Sequence, residues 1–174
     1  VGILDADIYG PSQPMMMGVS GRPDSPDGKT MEPMIGHGVQ VMSIGLLVNN
    51  DQAMIWRGPM ATQALEQMLR QTNWKDLDYL LVDMPPGTGD IQLTLSQKVP
   101  VAGPATVTTP QDIATLHARE ALQMSEKVGV AVPGLGENMA VHVCSHGVQA
   151  EHLVEHGGGD RRAHQYGVPL LGAL

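Results

Sequence analysis

The sequence has no phenylalanine, two tryptophans, three tyrosines and a single cysteine. With so few rings, the core must come from aliphatic side chains and from twelve methionines. Methionine fills irregular space but specifies packing less sharply. One cysteine, Cys144, excludes an intrachain disulfide framework, so a reducing cytoplasm is the expected location. Basic residues are also scarce: ten Lys plus Arg stand against eighteen Asp plus Glu, for a formal charge of −8 and a pI near 5.2. Gripping a phosphate backbone calls for a basic surface, so a nucleic-acid partner is not expected. No apolar run approaches the roughly 20 residues that span a bilayer, and no opening segment reads as a signal peptide. A membrane partner is therefore not expected either.

What is there suits a folded chain. Hydrophobic residues make up 42% and charged residues 16%, which is enough for one core and too little charge for disorder. A length of 174 residues is one domain's worth. The chain opens inside an apolar run at Val1 and closes inside another at Val168 to Leu174. It is expected to be a single incomplete domain, with its amino-terminal unit and carboxyl-terminal end missing.

Short apolar runs alternate with helical patterns. Val1 to Leu4 reads as a strand, and Gly10 to Gly38 as loop with short turns. Val39 to Val48 reads as β. Pro59 to Thr72 is the clearest helix, with Met60, Ala64, Leu65, Met68 and Leu69 on one face. Tyr79 to Val82 reads as a strand buried on both faces. Further helices are expected at Ile91 to Gln97, at Pro110 to Lys127, and over 149–166 with a break at Gly157 to Gly159. Further strands are expected at Ala105 to Thr108, Val130 to Leu135 and Val168 to Leu171. Alternation of this kind predicts an α/β fold, a mostly parallel sheet with helices on both faces.

Two stretches carry chemistry. Asp5-Ala6-Asp7 closes the first strand, where ligands of open α/β sheets gather. Two carboxylates there can hold hydrated Mg²⁺ and orient a water. Asp is also common in turns, so the pair alone does not decide. The second is Leu80-Leu81-Val82-Asp83-Met84-Pro85-Pro86-Gly87-Thr88-Gly89-Asp90. An apolar strand ending in Asp is the form of a Walker B element. The glycines after it let backbone N–H groups approach a phosphate closely.

With these strings the sequence resembles the Mrp/ApbC family of ATP-binding iron–sulfur cluster carriers. The resemblance extends over Gly2 to Ser12, Trp56-Arg57-Gly58-Pro59-Met60, Val82 to Asp90, Thr108-Thr109-Pro110-Gln111-Asp112 and Glu137-Asn138-Met139. It implies the MinD/SIMIBI type of P-loop NTPase fold, working as a homodimer around ATP and Mg²⁺. It implies that Asp7 orients the attacking water, that Asp5 supports the metal shell, and that Asp83 binds Mg²⁺. It implies that Gly87 lies near the γ-phosphate and that Asn138 recognises adenine. A [4Fe-4S] cluster is expected between protomers, for delivery to apo iron–sulfur proteins as clients.

The sequence departs from that family in two places. The family's Gly-rich phosphate loop with two lysines is not among these residues. Gly28-Lys29-Thr30 looks like its tail, but the pattern needs a glycine where Pro23 stands. The family is an ATPase, but without that loop this polypeptide alone is expected to bind ATP very weakly and not to hydrolyse it measurably, so whether it is an enzyme stays uncertain. Cys144-Ser145-His146 matches the first half of a Cys-x-x-Cys pair, but Gly147 stands in place of the second thiol. His146 is a substitute ligand to consider, since imidazole can ligate cluster iron. His142, His152, His156 and His164 are nearby, and His152 and His156 could share a helix face at a zinc-like spacing. Three other readings stay open: a MinD- or ParA-like positioning ATPase, a metal-binding module, and an inactive remnant of the fold.

Overall fold

The computed structural model describes residues 1–48, 58–85, 99, 101–109, 119, 122–123, 125, 129–143, 150–152 and 158–174. The chain divides into two compact units, the first holding Val1–Pro86 and the second Leu93–Leu174.

In the first unit, strand β1 (Gly2–Asp5) is followed by a single helical turn, α1 (Gln13–Met16). Strands β2 (Met34–Gly36) and β3 (Val39–Ser43), helix α2 (Gly58–Gln71) and strand β4 (Leu80–Asp83) complete it. The sheet order is β2-β3-β1-β4. β1 runs parallel to both β3 and β4, and β2 is antiparallel to β3. The stretch from Gly10 to Gly38, read as loop from the sequence, thus contains both α1 and β2.

The strand expected over Val39 to Val48 stops at Ser43. The Ser43 hydroxyl accepts from Gly45 N at 3.0 Å and caps a 3₁₀ turn, Ile44–Leu46. Serine favours such local bonds over continuing a ladder.

Helix α2 lies within a residue of its expected bounds. Its buried stripe is Ala61, Leu65 and Met68, while Met60, expected on that face, is exposed. The spacing of four and then three residues keeps these side chains on one face. Two of its last carbonyls find side-chain donors. Thr72 Oγ1 donates to Met68 O at 2.5 Å and Trp74 Nε1 donates to Leu69 O at 3.3 Å.

Leu4, Val41 and Met42 are fully buried at the sheet centre, and Val41 packs with Val19 and Leu46. β4 departs from the expected burial on both faces, since Leu81 is 57% exposed. β4 is an edge of its sheet among the described residues.

In the second unit, β5 (Ala105–Thr108), β6 (Gly134–Glu137) and β9 (Leu170–Ala173) form a parallel sheet in the order β5-β6-β9. β7 (Val141–Val143) and β8 (Ala150–His152) pair antiparallel. Two strands start later than their sequence pattern suggests. β6 begins at Gly134 rather than Val130, and β9 at Leu170 rather than Val168. Pro133 and Pro169 immediately precede them, and proline has no N–H for a ladder.

The helix expected over 149–166 is instead β8 followed by α3 (Gly158–Tyr166). Glycines are tolerated at its start, where Asp160 suits the positive end of the helix dipole. Its other end closes on Gly167 at φ +67. Val168 N donates to Ala163 O at 3.0 Å and Gly167 N to His164 O at 3.3 Å. That is the paired bonding of a Schellman cap. Ala163 is buried against Leu135, with Val168 and Leu170 beside them. The expected helix at Ile91 to Gln97 lies outside the described residues. Within Pro110 to Lys127, Arg119, Leu122, Gln123 and Ser125 are helical.

Candidate functional site

The winding of the first sheet selects one place for a ligand. The chain leaves β1, adds β3 on one side of it and β4 on the other. Strand order reverses at β1, and open α/β sheets bind ligands outside the carboxyl ends of strands at such a point. The last residues of the three parallel strands there are Asp5, Ser43 and Asp83. Their register aligns them, with Asp5 opposite Ser43 on one side and opposite Asp83 on the other.

Asp5 has no exposed surface. Its Oδ2 accepts from Ser43 Oγ at 3.0 Å and from Gln13 N at 3.2 Å, and its Oδ1 accepts from Asp7 N at 3.2 Å. Burial pushes the Asp5 carboxyl above its ordinary value, and the nearby Asp83 charge adds to that push. The bonds from Ser43, Gln13 and Asp7 pull the other way.

Asp83 Oδ2 accepts from Gln13 Nε2 at 2.7 Å, and Ala6 N donates to the Asp83 carbonyl at 2.8 Å. Asp7 turns back on its own loop, where Oδ1 accepts from Tyr9 N at 3.3 Å and Gly10 N at 3.2 Å. Of the acids singled out from the sequence, Asp5 and Asp83 are therefore brought together, while the Asp7 carboxylate is engaged by its own loop.

Sequence reasoning missed Ser43 and Gln13. Ser43 was hidden in an apolar run read as one long strand. Gln13 sits in a Gly-Pro-Ser-Gln turn with no signature of its own.

The donors in this row are hard oxygens, the kind that suits Mg²⁺. Among the described residues, no three His, Cys, Asp or Glu side chains converge to hold a metal ion by themselves.

The Gly28-Lys29-Thr30 stretch is built differently from a phosphate loop. Asp27 Oδ1 accepts from Lys29 N at 2.9 Å and Thr30 N at 2.7 Å, and Thr30 Oγ1 donates to Asp27 Oδ2 at 2.9 Å. The chain's own carboxylate takes the N–H groups that a phosphate would use. Those bonds, Thr30 N first, hold the Asp27 carboxyl below its ordinary value. A groove of about 680 Å³ runs between this loop and α2, and its lining does not include the acid row.

Asn138 lies in the second unit, just after β6. Its N–H donates to Thr108 O at 2.7 Å, and its Oδ1 accepts from Met139 N at 2.9 Å. Met139 holds φ +58, which turns the chain sharply after Asn138. Gly87, Cys144 and His146 lie outside the described residues. His152 ends strand β8, which removes the helix face it was expected to share with His156.

A mostly parallel sheet that reverses its winding over a row of strand-end acids is the layout of a nucleotide-handling α/β protein of the P-loop NTPase class. The chain belongs to the ParA family in its NUBPL iron-transfer P-loop NTPase form, whose sequence pattern matches residues 1–174.

It is 57% identical to the iron-sulfur cluster carrier protein of Pseudomonas fragi, covering all of this chain and 61% of that one. It is likewise 57% identical to the carrier protein of Escherichia coli K12, covering 47% of its length. The mouse iron-sulfur cluster transfer protein NUBPL is 44% identical over 99% of this chain and 54% of its own. The chain thus spans about half to three-fifths of these relatives.

Among solved structures, a nucleotide-binding protein from Archaeoglobus fulgidus in complex with ADP superposes with a TM-score of 0.79 at 33% identity. That match covers 99% of this chain and 66% of the other. The cell division ATPase MinD of Pyrococcus furiosus, at 16% identity and TM-score 0.58, shares the fold over 99% of this chain and 69% of its own. Among the described residues, no helix is long and apolar enough to cross a membrane.

Proposed function

We propose that this chain is the metal-and-switch part of an ATP-dependent iron–sulfur cluster carrier. The observation that carries the reading is the aligned row of Asp5, Ser43 and Asp83 at the topological switch point, tied together by Gln13. In this reading the chain is part of one P-loop NTPase domain. The phosphate loop comes from residues of the full-length protein outside these 174. Asp83 and Asp5 hold the hydrated Mg²⁺ of a bound ATP, and the ion, when bound, offsets the negative charge of the phosphates.

Asp7 orients the attacking water once its loop meets the nucleotide, and Gly87 lies beside the γ-phosphate. Asn138 pairs with the adenine edge through its side-chain amide. Two protomers hold a [4Fe-4S] cluster as cargo through Cys144, with His146 as a further ligand. Apo iron–sulfur proteins of the cytoplasm are the clients. Support comes from the family membership and from the names of its relatives.

The test uses the full-length protein, reconstituted anaerobically, with transfer to an apo [4Fe-4S] acceptor followed with and without Mg-ATP. Nucleotide is expected to change the transfer rate, and Asp83→Asn to remove that response. Transfer at one rate with or without nucleotide in the wild type would refute the reading.

A further inference from the structure

Gln13 stands out in the acid row because it makes two bonds to two different carboxylates. Its side-chain amide donates to Asp83 Oδ2 at 2.7 Å, and its backbone N–H donates to Asp5 Oδ2 at 3.2 Å. An ionised carboxylate only accepts, so the amide nitrogen, not the oxygen, faces Asp83. The bond crosses 70 positions of sequence, from the start of α1 to the end of β4. Both ends are anchored. The Gln13 carbonyl accepts from Met17 N at 2.8 Å, and the Asp83 carbonyl accepts from Ala6 N at 2.8 Å.

A carboxylate's last torsion is broad and soft. Without a fixed donor, the Asp83 carboxylate would sample many orientations. Groups that orient a metal-binding carboxylate from behind typically change metal affinity by about 10- to 100-fold when removed.

We propose that Gln13 is a positioning residue of the magnesium–nucleotide site, fixing the carboxylate of Asp83 through its amide and that of Asp5 through its backbone. The inference rests on the reading of this row as a Mg-nucleotide site. It goes further by assigning the order of the site to a residue outside the acid motifs. Gln13 does not touch the reacting atoms. It acts through Asp83, so its loss weakens the metal's contribution and leaves the nucleotide's other contacts alone.

The experiment uses the full-length protein and two variants. Gln13→Met keeps the side chain's bulk and the backbone N–H but removes the amide; Gln13→Ala removes both bulk and amide. A fluorescent, non-hydrolysed ATP analogue is titrated at a series of Mg²⁺ concentrations and in EDTA. Both variants are expected to need about 10-fold more Mg²⁺ or above for half-maximal binding. Affinity in EDTA is expected to stay at the wild-type value in both variants, an outcome that a merely structural role would not give.

A second readout needs neither nucleotide nor a Gln13 variant. The side-chain ¹⁵N–¹H signals of Gln13 are expected to lie away from the free-amide position and to move to it in Asp83→Ala. Wild-type magnesium dependence in Gln13→Met, or Gln13 signals indifferent to Asp83→Ala, overturns the proposal. A wild-type protein with no magnesium-dependent nucleotide binding overturns the nucleotide reading itself, and this inference with it.

Discussion

Replacing Ser43 by alanine removes one buried oxygen and leaves two groups short of a partner. The Asp5 carboxylate loses the donor at 3.0 Å, and Gly45 N loses the acceptor at 3.0 Å that caps the 3₁₀ turn. A hydrogen bond to a charged group is worth about 1.5–3 kcal/mol and a neutral one about 1 kcal/mol. Gly45 is only half-buried, so water recovers part of the second loss. Alanine fills nearly the same volume, so no sizeable cavity adds to the cost. Together these give about 2–4 kcal/mol at neutral pH.

The cost should depend on pH, with a definite sign. Burial already holds the Asp5 carboxyl above its ordinary value, and the Ser43 bond opposes that rise. A carboxyl raised in the folded state supports stability below its unfolded value and loses that support as pH climbs through the folded value. Removing Ser43 raises the folded value further. The penalty of Ser43→Ala should therefore be smaller at pH 4.5 than at pH 7. Urea unfolding at both pH values measures it, with Asp5→Asn and the double variant closing a cycle. In the Asp5→Asn background the cost should fall to about 1–2 kcal/mol, since the Ser43 hydroxyl then donates at most to a neutral oxygen. A cost under about 0.5 kcal/mol at pH 7, or one equal at both pH values, would refute the assigned hydrogen bond.

Three further outcomes follow from other parts of the chain. Gly134→Ala places a Cβ 2.5 Å from Pro169 O and 2.7 Å from Leu171 Cγ, which forces β6 and β9 apart. Denaturant titration should show a loss of about 1–3 kcal/mol, and an unchanged midpoint would contradict the close approach. Asp27→Ala should speed amide exchange at Lys29 and Thr30 while leaving Mg-ATP binding by the full-length protein unchanged. Loss of ATP binding there would make Gly28-Lys29-Thr30 a nucleotide loop after all. Anaerobic reconstitution of these 174 residues by themselves should give little stable cluster, since Cys144 is the single thiol among them and cubane clusters take four. A strong cluster absorbance at four irons per dimer, lost in Cys144→Ala, would reverse that expectation.

Much of this architecture could be read from the chain, for reasons that can be named. β1, α2 and β5 carry strong local patterns, and the structure keeps them within a residue or two. The pairing of Asp5 with Asp83 followed from one rule, that strand-end acids in a parallel sheet face a common crevice, whereas the Asp7 carboxylate turns onto its own loop.

What was missed lies where one residue overrides a pattern. Ser43 ends a strand that the apolar residues after it would extend. Pro133 and Pro169 delay β6 and β9 because a ladder needs an N–H at each inward position. β7 and β8 are three residues each, too short for alternation to register. Gln13 could not have been found from spacing, because its meaning depends on Asp83, 70 residues away.

The two larger sheets also have edges with a practical consequence. β4 and β5 each have one side without a paired strand among the described residues, and Leu81 and Val107 on them are 57% and 69% exposed. A strand edge with open N–H and C=O groups and apolar side chains is a template for another strand. A polypeptide of these 174 residues, handled by itself at high concentration, should therefore stick to its own copies by strand addition. A lysine placed at Leu81 or Val107 would discourage such pairing.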